Sequence, residues 1–356
     1  MSKFWNQKTS NIEPYVPGEQ PKSTERLIKI NTNECPYPPS PKALDAMREA
    51  VDGRLRLYPD PDGSGVRKAF AEINGISPEN VFVGNGSDEV LGLAFAAFYD
   101  RERPVNFADI TYSFYPVYCK MFDVSYRILP LREDFSLDIE GFCRAEGGVC
   151  IANPNAPTSM GVPACDIERI LKAHPEDVVI VDEAYVDFGG ESCVGLIGDY
   201  PNLLVTQTLS KSRALAGLRV GMAAGSRQLI EGLDRVKNSF NSYTLDRVAI
   251  AGAEAALRDR GYFTEITDRI IATRERTAAA LVKMGFSVPK SQANFLFIEH
   301  KQFGAEQIFE YLRSNNILVR YFKKARIDNR LRVTIGTDAE MDQFLHVMEA
   351  FVNERS

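Results

Sequence analysis

The chain has 356 residues, with an apolar fraction of 44% and a charged fraction of 25%, close to the average of soluble globular proteins. Its 42 Lys and Arg residues stand against 48 Asp and Glu residues, and a net charge of −6 argues against a chain built mainly to coat nucleic acid. No apolar run is long enough to cross a bilayer and the N-terminus has no signal-peptide core, so we expect a cytoplasmic protein without membrane contact.

The cysteines and histidines disfavour several kinds of site. Six cysteines are scattered without a CxxC pair, which is typical of reduced thiols in a cytoplasmic protein. The three histidines, His174, His300 and His346, lie beside no motif, so each is expected to be structural or on the surface. A metal centre or a Ser-His-Asp triad is therefore not expected.

The first 40 residues and the 200 that follow differ in texture. Seven prolines occur by Pro41, which predicts an extended arm over residues 1–40 that takes part in the small domain and in dimer contacts. Short apolar strands then alternate with helical patterns, and this alternation predicts an α/β fold with a mostly parallel sheet between two layers of helices. The predicted strands are residues 81–83, 105–107, 149–152, 178–181 and 203–206.

The last third of the chain has longer helical patterns. Residues 262–284 read as one long helix, and strands are predicted around 294–298, 317–320 and 331–335. We therefore divide the chain into the arm (1–40), a large domain (41–245) and a smaller α+β domain (246–356).

Two strand ends carry complementary chemistry. Asp182 and Glu183 end the strand at 178–181, and Lys211 follows the strand at 203–206. A lysine can form a Schiff base with pyridoxal phosphate, and a carboxylate can keep the ring nitrogen of that cofactor protonated. Each of these two signals is weak by itself, since an Asp-Glu pair often merely ends a strand and a Ser-Lys-Ser loop is usually a solvated turn. Because ligands bind at the carboxyl ends of parallel strands, both residues are expected in one crevice.

Two further features fit a phosphorylated aromatic cofactor. The Gly-Asn-Gly-Ser-Asp-Glu turn at 84–89 leads from a strand into a helix, whose unpaired N–H groups suit a phosphate, although an ordinary N-cap is an equal reading. Ser210 and Arg219 add a hydroxyl and a guanidinium near Lys211. Tyr112 is placed to stack on a ring, with a core tyrosine as an equal alternative.

The chain resembles the fold-type I pyridoxal-phosphate-dependent aminotransferases over nearly its whole length. The motifs that carry the resemblance are residues 15–21, 30–34, 58–60, 84–89, 153–158, 181–185, 210–219 and 332–337. The sequence departs from frequent family residues at Cys35, Ala156 and Ser159.

The resemblance implies a role for each matched residue. Lys211 would carry the cofactor and act as the base, Asp182 would pair with the ring nitrogen, and Tyr185 and Asn155 would hydrogen-bond its phenolic oxygen. Tyr112 would stack on the ring, and Tyr58 would reach the cofactor of the partner subunit, which implies a homodimer. The remaining cofactor contacts are a phosphate-binding set, Ser87, Asp88, Ser210 and Arg219.

Substrate recognition is assigned by the same resemblance to Tyr15, Asn33, Arg320 and Arg332. The two arginines would bind the phosphate of a phosphorylated amino substrate and the carboxylates of glutamate and 2-oxoglutarate in alternate half-reactions. Six basic residues lie between Arg320 and Arg332 against one acid, and for most of them a solvated basic loop is the default interpretation. A nucleic-acid surface is the least favoured reading of that segment.

Other activities remain open on this fold. A threonine-phosphate decarboxylase or an aromatic amino-acid aminotransferase would share the cofactor residues, and a non-catalytic regulator would retain the fold without turnover. Intact Lys211, Asp182 and Tyr185 argue against the regulator.

Overall fold

The computed structural model describes residues 2–14, 18–21 and 27–355. Its strands in chain order are β1 Ile28–Lys29, β2 Val81–Asn85, β3 Val105–Ala108, β4 Tyr126–Leu129, β5 Gly148–Ala152, β6 Val179–Asp182, β7 Leu203–Thr208, β8 Val220–Gly225, β9 Phe286–Ser287, β10 Phe295–His300, β11 Ile317–Leu318, β12 Arg320–Tyr321 and β13 Leu331–Thr334.

The helices alternate with these strands through the first two thirds of the chain and grow longer after it. They are α1 Gln7–Asn11, α2 Pro41–Ala50, α3 Ser64–Asn74, α4 Gly86–Phe98, α5 Tyr115–Phe122, α6 Ile139–Arg144, α7 Ala164–Ala173, α8 Arg227–Phe240, α9 Arg247–Arg258, α10 Arg260–Lys283, α11 Ala305–Ser314 and α12 Asp338–Asn353. Short 3₁₀ helices lie at Gly53–Arg56, Pro78–Asn80, Val186–Phe188, Val194–Leu196 and Ala216–Leu218.

A seven-stranded sheet in the order β2-β8-β7-β6-β5-β3-β4 forms the centre of the fold. The strands from β7 to β4 pair in parallel, and β8 runs antiparallel to both of its neighbours. The α/β prediction is therefore confirmed, with one antiparallel strand that the sequence pattern did not indicate. The carboxyl ends of β5, β6 and β7 meet at one edge, where the crevice was expected.

Apolar side chains on both faces of this sheet explain its near-continuous hydrophobic strands. Along β5 and β6, Ile151 and Val181 face one core cluster, while Cys150 and Ile180 face the other. Successive residues of a strand point to opposite faces, so burial on both sides requires apolar residues at every position. Helices α3, α7 and α9 cover one face, and α4, α5 and α8 cover the other.

A smaller antiparallel sheet, β12-β13-β10-β9, lies in the last third of the chain. The 24-residue helix α10 begins two residues before the predicted 262 and ends one before 284. Strand β1 pairs in parallel with β11, so this stretch of the arm packs with the C-terminal part of the chain. The domain boundaries at 40 and 245 stay a prediction. Within the described parts of the chain, no helix combines the length and the apolar character needed to span a membrane.

Candidate active site

Two connected cavities lie at the carboxyl ends of the central strands. The inner cavity, of about 110 Å³, is lined by residues of α4, β6 and the loop after β7. The outer cavity, of about 710 Å³, extends from it toward β12 and β13. Their shared walls are Asp88, Tyr112, Ala156, Tyr185, Lys211 and Arg219. The inner cavity brings together eight of the ten predicted cofactor residues.

Asp182 lies at the floor of the inner cavity. Its carboxylate accepts hydrogen bonds from the Tyr115 hydroxyl at 2.9 Å and from the Ala184 backbone N–H at 3.2 Å. Burial raises the pKa of Asp182 to about 6, although both hydrogen bonds act in the opposite direction. A buried carboxylate gains most from a cationic partner, and a protonated ring nitrogen supplies one.

Tyr115 was missed by sequence reasoning. It is buried, and burial together with the nearby Asp182 raises the pKa of its phenol far above the usual value, so the hydroxyl stays a donor to Asp182. Its position three residues after Tyr112, at the start of α5, carries no local signal that it contacts a strand end 67 residues later.

An anion site is formed by the start of α4 and the residues around it. The first-turn N–H groups of a helix have no acceptor within the helix and attract negative charge. Ser87 and Asp88 lie in this turn, and Ser210 and Arg219 line the same cavity. Arg219 Nη2 contacts Asp88 Oδ2 at 2.9 Å, which engages one of the five N–H donors of the guanidinium.

Two glycines allow the close approach of the backbone in this cradle. A Cβ on Gly86 would lie 2.6 Å from Arg219 Nη2, and a Cβ on Gly221 would lie 2.4 Å from the Gly86 carbonyl carbon. Gly86 also has a φ of 78°, in the left-handed region that other residues rarely adopt. Any side chain at position 86 would fill the space in which an anion meets the helix start, so the residues present fit a phosphate group.

Lys211 lies opposite this cradle, between the arm and Tyr185. Its Nζ is 3.4 Å from the Thr32 carbonyl oxygen and 5.7 Å from the centre of the Tyr185 ring. The Tyr185 hydroxyl accepts a hydrogen bond of 2.9 Å from Asn33 Nδ2, and Asn33 is in turn held by Thr334. Asn33, predicted to contact substrate, thus lines the outer cavity and also orients Tyr185.

Tyr112 has its ring on the wall shared by both cavities. Its hydroxyl donates to Asp88 Oδ1 at 2.6 Å, and its ring meets the Tyr115 ring edge-on at 5.7 Å. The half-buried ring faces the cavity between the anion site and Asp182, where an aromatic ligand would be stacked.

Three predicted residues are not found on these walls. Asn155 lines a small neighbouring cavity, where its Nδ2 donates to the Ile110 carbonyl and to Thr158 Oγ1. Tyr58 is 78% exposed and stacks on Tyr243 at 4.5 Å, away from both cavities. Tyr15 lies outside the described residues. Their predicted contacts remain predictions.

The turn after Asn155 accommodates one departure from the family pattern. Ser159, at a position where glycine is frequent, has a φ of 64° and donates its N–H to the Asn155 carbonyl. A non-glycine residue in this region of backbone space costs free energy, which is consistent with the preference for glycine there.

The outer cavity holds the two predicted substrate arginines. Arg332 Nη2 donates to the Asn31 carbonyl at 2.8 Å, and its guanidinium lies 5.5 Å from the Phe295 ring. Arg320 lies over the Phe322 ring at 5.5 Å. Both guanidinium groups line the cavity, which gives it a positively charged outer wall suited to phosphate and carboxylate groups.

The basic segment between these arginines is exposed at residues 323–326, 328 and 329, as expected of a solvated loop, and it also forms ion pairs. Arg326 pairs with Asp109 at 2.6 Å, Arg330 with Glu299 at 2.5 Å, and Lys323 with Glu306 at 2.6 Å. The Arg330 side chain is only 13% exposed. Lys323, Arg326 and Arg330 are thus neutralised within the fold, and the bonds from Arg326 and Lys324 to Asp109 tie this segment to the loop before Tyr112.

Glu183, the neighbour of Asp182, lies outside both cavities and offers a stability test. Burial raises its pKa to about 7, although the Cys193 N–H, Ser192 and Gln207 donate to it. The Glu183 carboxyl therefore binds its proton more tightly in the folded state than in the unfolded chain. As a consequence, the free energy of unfolding falls as the pH rises from about 4.5 to about 7.

We expect Glu183→Gln to remove this decline in the free energy of unfolding, which amounts to about 3 kcal/mol. Denaturant unfolding of both proteins between pH 4.5 and 8 checks the difference. The same slope in both proteins would show that Glu183 is ionised in the fold throughout.

Comparison with known proteins agrees with this geometry. The model of the family "Aminotransferase class I and II" matches residues 25–348. The chain therefore belongs to the class I and II aminotransferases, and the predictions of an aminotransferase and of its fold are confirmed.

The relatives define a narrower group within that class. The chain is 58% identical over 345 residues to the histidinol-phosphate aminotransferase of Clostridium acetobutylicum, covering 97% of this chain and 98% of the relative. It is 54% identical to that of Clostridium botulinum strain Langeland, covering 99% and 100%. The narrower family is thus that of the histidinol-phosphate aminotransferases.

A solved structure shares the fold at lower identity. Histidinol-phosphate aminotransferase from Sinorhizobium meliloti, in complex with pyridoxal-5'-phosphate, superposes with a TM-score of 0.87 at 24% identity and covers 100% of this chain and 99% of its own.

Proposed function

We propose that this aminotransferase moves the amino group of L-histidinol phosphate to 2-oxoglutarate, giving imidazole-acetol phosphate and L-glutamate in histidine biosynthesis. The observation that carries the proposal is one continuous space that joins Lys211, Asp182 and a phosphate cradle to the arginines of the outer wall. The names of relatives at 52–58% identity supply the substrate.

Pyridoxal phosphate fits the inner cavity by the chemistry of its walls. Ser87, Asp88, Ser210 and Arg219 would hold its phosphate, Tyr112 would cover its ring, and Asp182 would pair with the ring nitrogen. The bound cofactor supplies a protonated ring that withdraws electrons from the substrate carbon.

The residues of the chain supply attachment and proton transfer. Lys211 Nζ would be the point of attachment and, once displaced by substrate, the base that takes the proton from the substrate Cα. Asp182 stays ionised beside a cation and so keeps the ring nitrogen protonated. Tyr185 is oriented by the hydrogen bond from Asn33, and its ring lies 5.7 Å from Lys211 Nζ.

Arg320 and Arg332 would bind the substrate phosphate in one half-reaction and carboxylates in the other. Arg332→Gln removes a charged donor, so we expect the KM for histidinol phosphate to rise about 10- to 100-fold, with a smaller change in kcat. Lys323→Gln is a matched control, since Lys323 belongs to the same segment but is 76% exposed and lines neither cavity. Equal KM values for the two variants would show that Arg332 does not bind the substrate.

A homodimer is part of the proposal. Tyr58 is exposed and lines neither cavity of its own chain, and Leu55, Leu57 and Tyr243 also expose apolar surface. Such a patch favours association, and a second subunit would bring Tyr58 to the cofactor phosphate of the partner.

Mixed dimers test this arrangement. Lys211→Ala and Tyr58→Ala subunits, unfolded together and refolded, would form hybrids with one intact site if Tyr58 acts across the interface. We expect activity in the mixture to exceed the sum of the two separate variants. Activity equal to that sum would place Tyr58 outside the partner's site.

The substrate assignment is tested by a coupled assay of imidazole-acetol phosphate with glutamate, run beside threonine phosphate and phenylalanine. We expect amino transfer to imidazole-acetol phosphate with the highest kcat/KM. Release of carbon dioxide from threonine phosphate without that transfer would overturn the proposal in favour of a decarboxylase. Faster transfer with phenylalanine would make the enzyme an aromatic aminotransferase.

A further inference from the structure

A further cavity lies behind the active site. It has a volume of about 410 Å³, opens to solvent, and is lined by α3, the start of α10, the residues after β6 and those after Lys211. We call it the rear cavity. Thr208, at the end of β7, lines both the rear cavity and the inner cavity. The two spaces are therefore separated by little more than the segment that carries Lys211.

The rear cavity contains a buried arginine, Arg213. Its residue is 9% exposed, its guanidinium lies 3.6 Å from the centre of the Phe263 ring, and Nη1 donates to the Ala256 carbonyl at 3.0 Å. No carboxylate of the described residues forms an ion pair with it, although Asp187 and Asp259 are near enough to act on its charge. Burial lowers the pKa of Arg213 to about 10, which reflects the cost of holding this charge away from water.

The other residues that line the rear cavity indicate which kind of ligand could compensate the charge of Arg213. Arg260 also lines the cavity, is exposed, and forms no ion pair with a described residue. Phe70, Leu257 and Ile271 supply apolar surface opposite. Two guanidinium groups beside an apolar wall match a small organic anion whose body is apolar.

The position of Arg213 connects this cavity with the reaction. Arg213 follows Lys211 by two residues, and the intervening Ser212 donates its hydroxyl to Asp187. Asp187 in turn follows Tyr185 by two residues, in the 3₁₀ helix Val186–Phe188. A ligand that moves Arg213 or Asp187 therefore acts on the segments that carry Lys211 and Tyr185.

We propose that the rear cavity is a regulatory site for a small carboxylate with an apolar body, held between Arg213 and Arg260 and coupled to Lys211 through the Ser212–Asp187 hydrogen bond. The binding site stands on its own geometry, whereas the coupling rests on the proposed role of Lys211.

Calorimetry on the holoenzyme with 3-phenylpropanoate tests the binding. All proteins carry Arg332→Gln, which weakens carboxylate binding at the outer cavity. We expect saturable binding that weakens about 10- to 100-fold in Arg213→Met and in Arg260→Gln, since each loses a charge-assisted hydrogen bond. Arg260 is exposed, so its variant tests the site even if Arg213→Met does not fold.

A neutral analogue supplies the control for charge. The alcohol 3-phenylpropan-1-ol has the same apolar body and should bind at least 10-fold more weakly than the carboxylate. Equal affinities of the two compounds, or an unchanged affinity in both arginine variants, would overturn the site.

The coupling is read from the absorbance of the bound cofactor. Saturation with 3-phenylpropanoate should shift the spectrum, and Ser212→Ala should abolish the shift while binding is retained. Binding without any spectral change in the parent protein would overturn the coupling. Both readouts are independent of the substrate, so they keep their meaning if histidinol phosphate is not the amino donor.

Discussion

Lys211→Ala is expected to lower turnover by about 10⁴-fold or more, because it removes both the covalent attachment of the cofactor and the base for proton transfer. The phosphate cradle and Asp182 are unchanged in this variant, so the protein should still bind pyridoxal phosphate, without a borohydride-reducible link. Steady-state rates and the absorbance of the dialysed protein measure the two effects.

Lys283→Ala is the control, since Lys283 is an exposed lysine in the last turn of α10 and lines neither cavity. It should retain full activity. A rate in Lys211→Ala within 10-fold of the parent enzyme would contradict the role assigned to Lys211.

Asp182→Asn is expected to have the second largest effect. The substitution keeps the size of the side chain and an acceptor for the Tyr115 hydroxyl, but it removes the negative charge that holds a proton on the ring nitrogen. We expect kcat to fall by about 10²- to 10³-fold, the magnitude typical for losing one preorganised electrostatic contact. The absorbance of the cofactor should change as well, because its ring loses a proton.

The neighbouring acid provides a matched control for this substitution. Glu183→Gln neutralises a carboxyl one residue away that is equally buried but lies outside both cavities. It should leave kcat within about threefold of the parent enzyme at pH 7. Equal losses of kcat in the two variants would show that Asp182→Asn acts by destabilising the fold and not by removing a contact to the ring nitrogen.

Much of the central sheet was predictable from local sequence, for a physical reason. Strands such as β6 are buried on both faces, and the first three residues of β6, Val179, Ile180 and Val181, are all β-branched. Strand β8 was missed because four of its six residues are small, namely Gly221, Ala223, Ala224 and Gly225. A Cβ at position 221 would collide with the backbone at Gly86. Strand β4 was missed because it is a largely exposed edge strand.

The candidate site was predictable where its residues follow strand ends, as with Asp182 and Lys211. The partners that orient these groups come from distant parts of the chain, such as Asn33, which bonds to Tyr185 across 152 residues. Such pairs meet only in the folded chain, so no local sequence pattern predicts them. The ion pairs of Arg326 and Arg330 likewise depend on tertiary contacts, so the sequence predicted the exposure of their segment but not these pairs.

Peptide mapping of the borohydride-reduced holoenzyme tests most directly whether the inner cavity holds pyridoxal phosphate on Lys211. The structure offers one clear competitor, Lys324, which lines the outer cavity. We predict a single pyridoxyl adduct, on the peptide that contains Lys211. An adduct on Lys324 or another lysine, or a holoenzyme that yields no reducible adduct, would contradict the account.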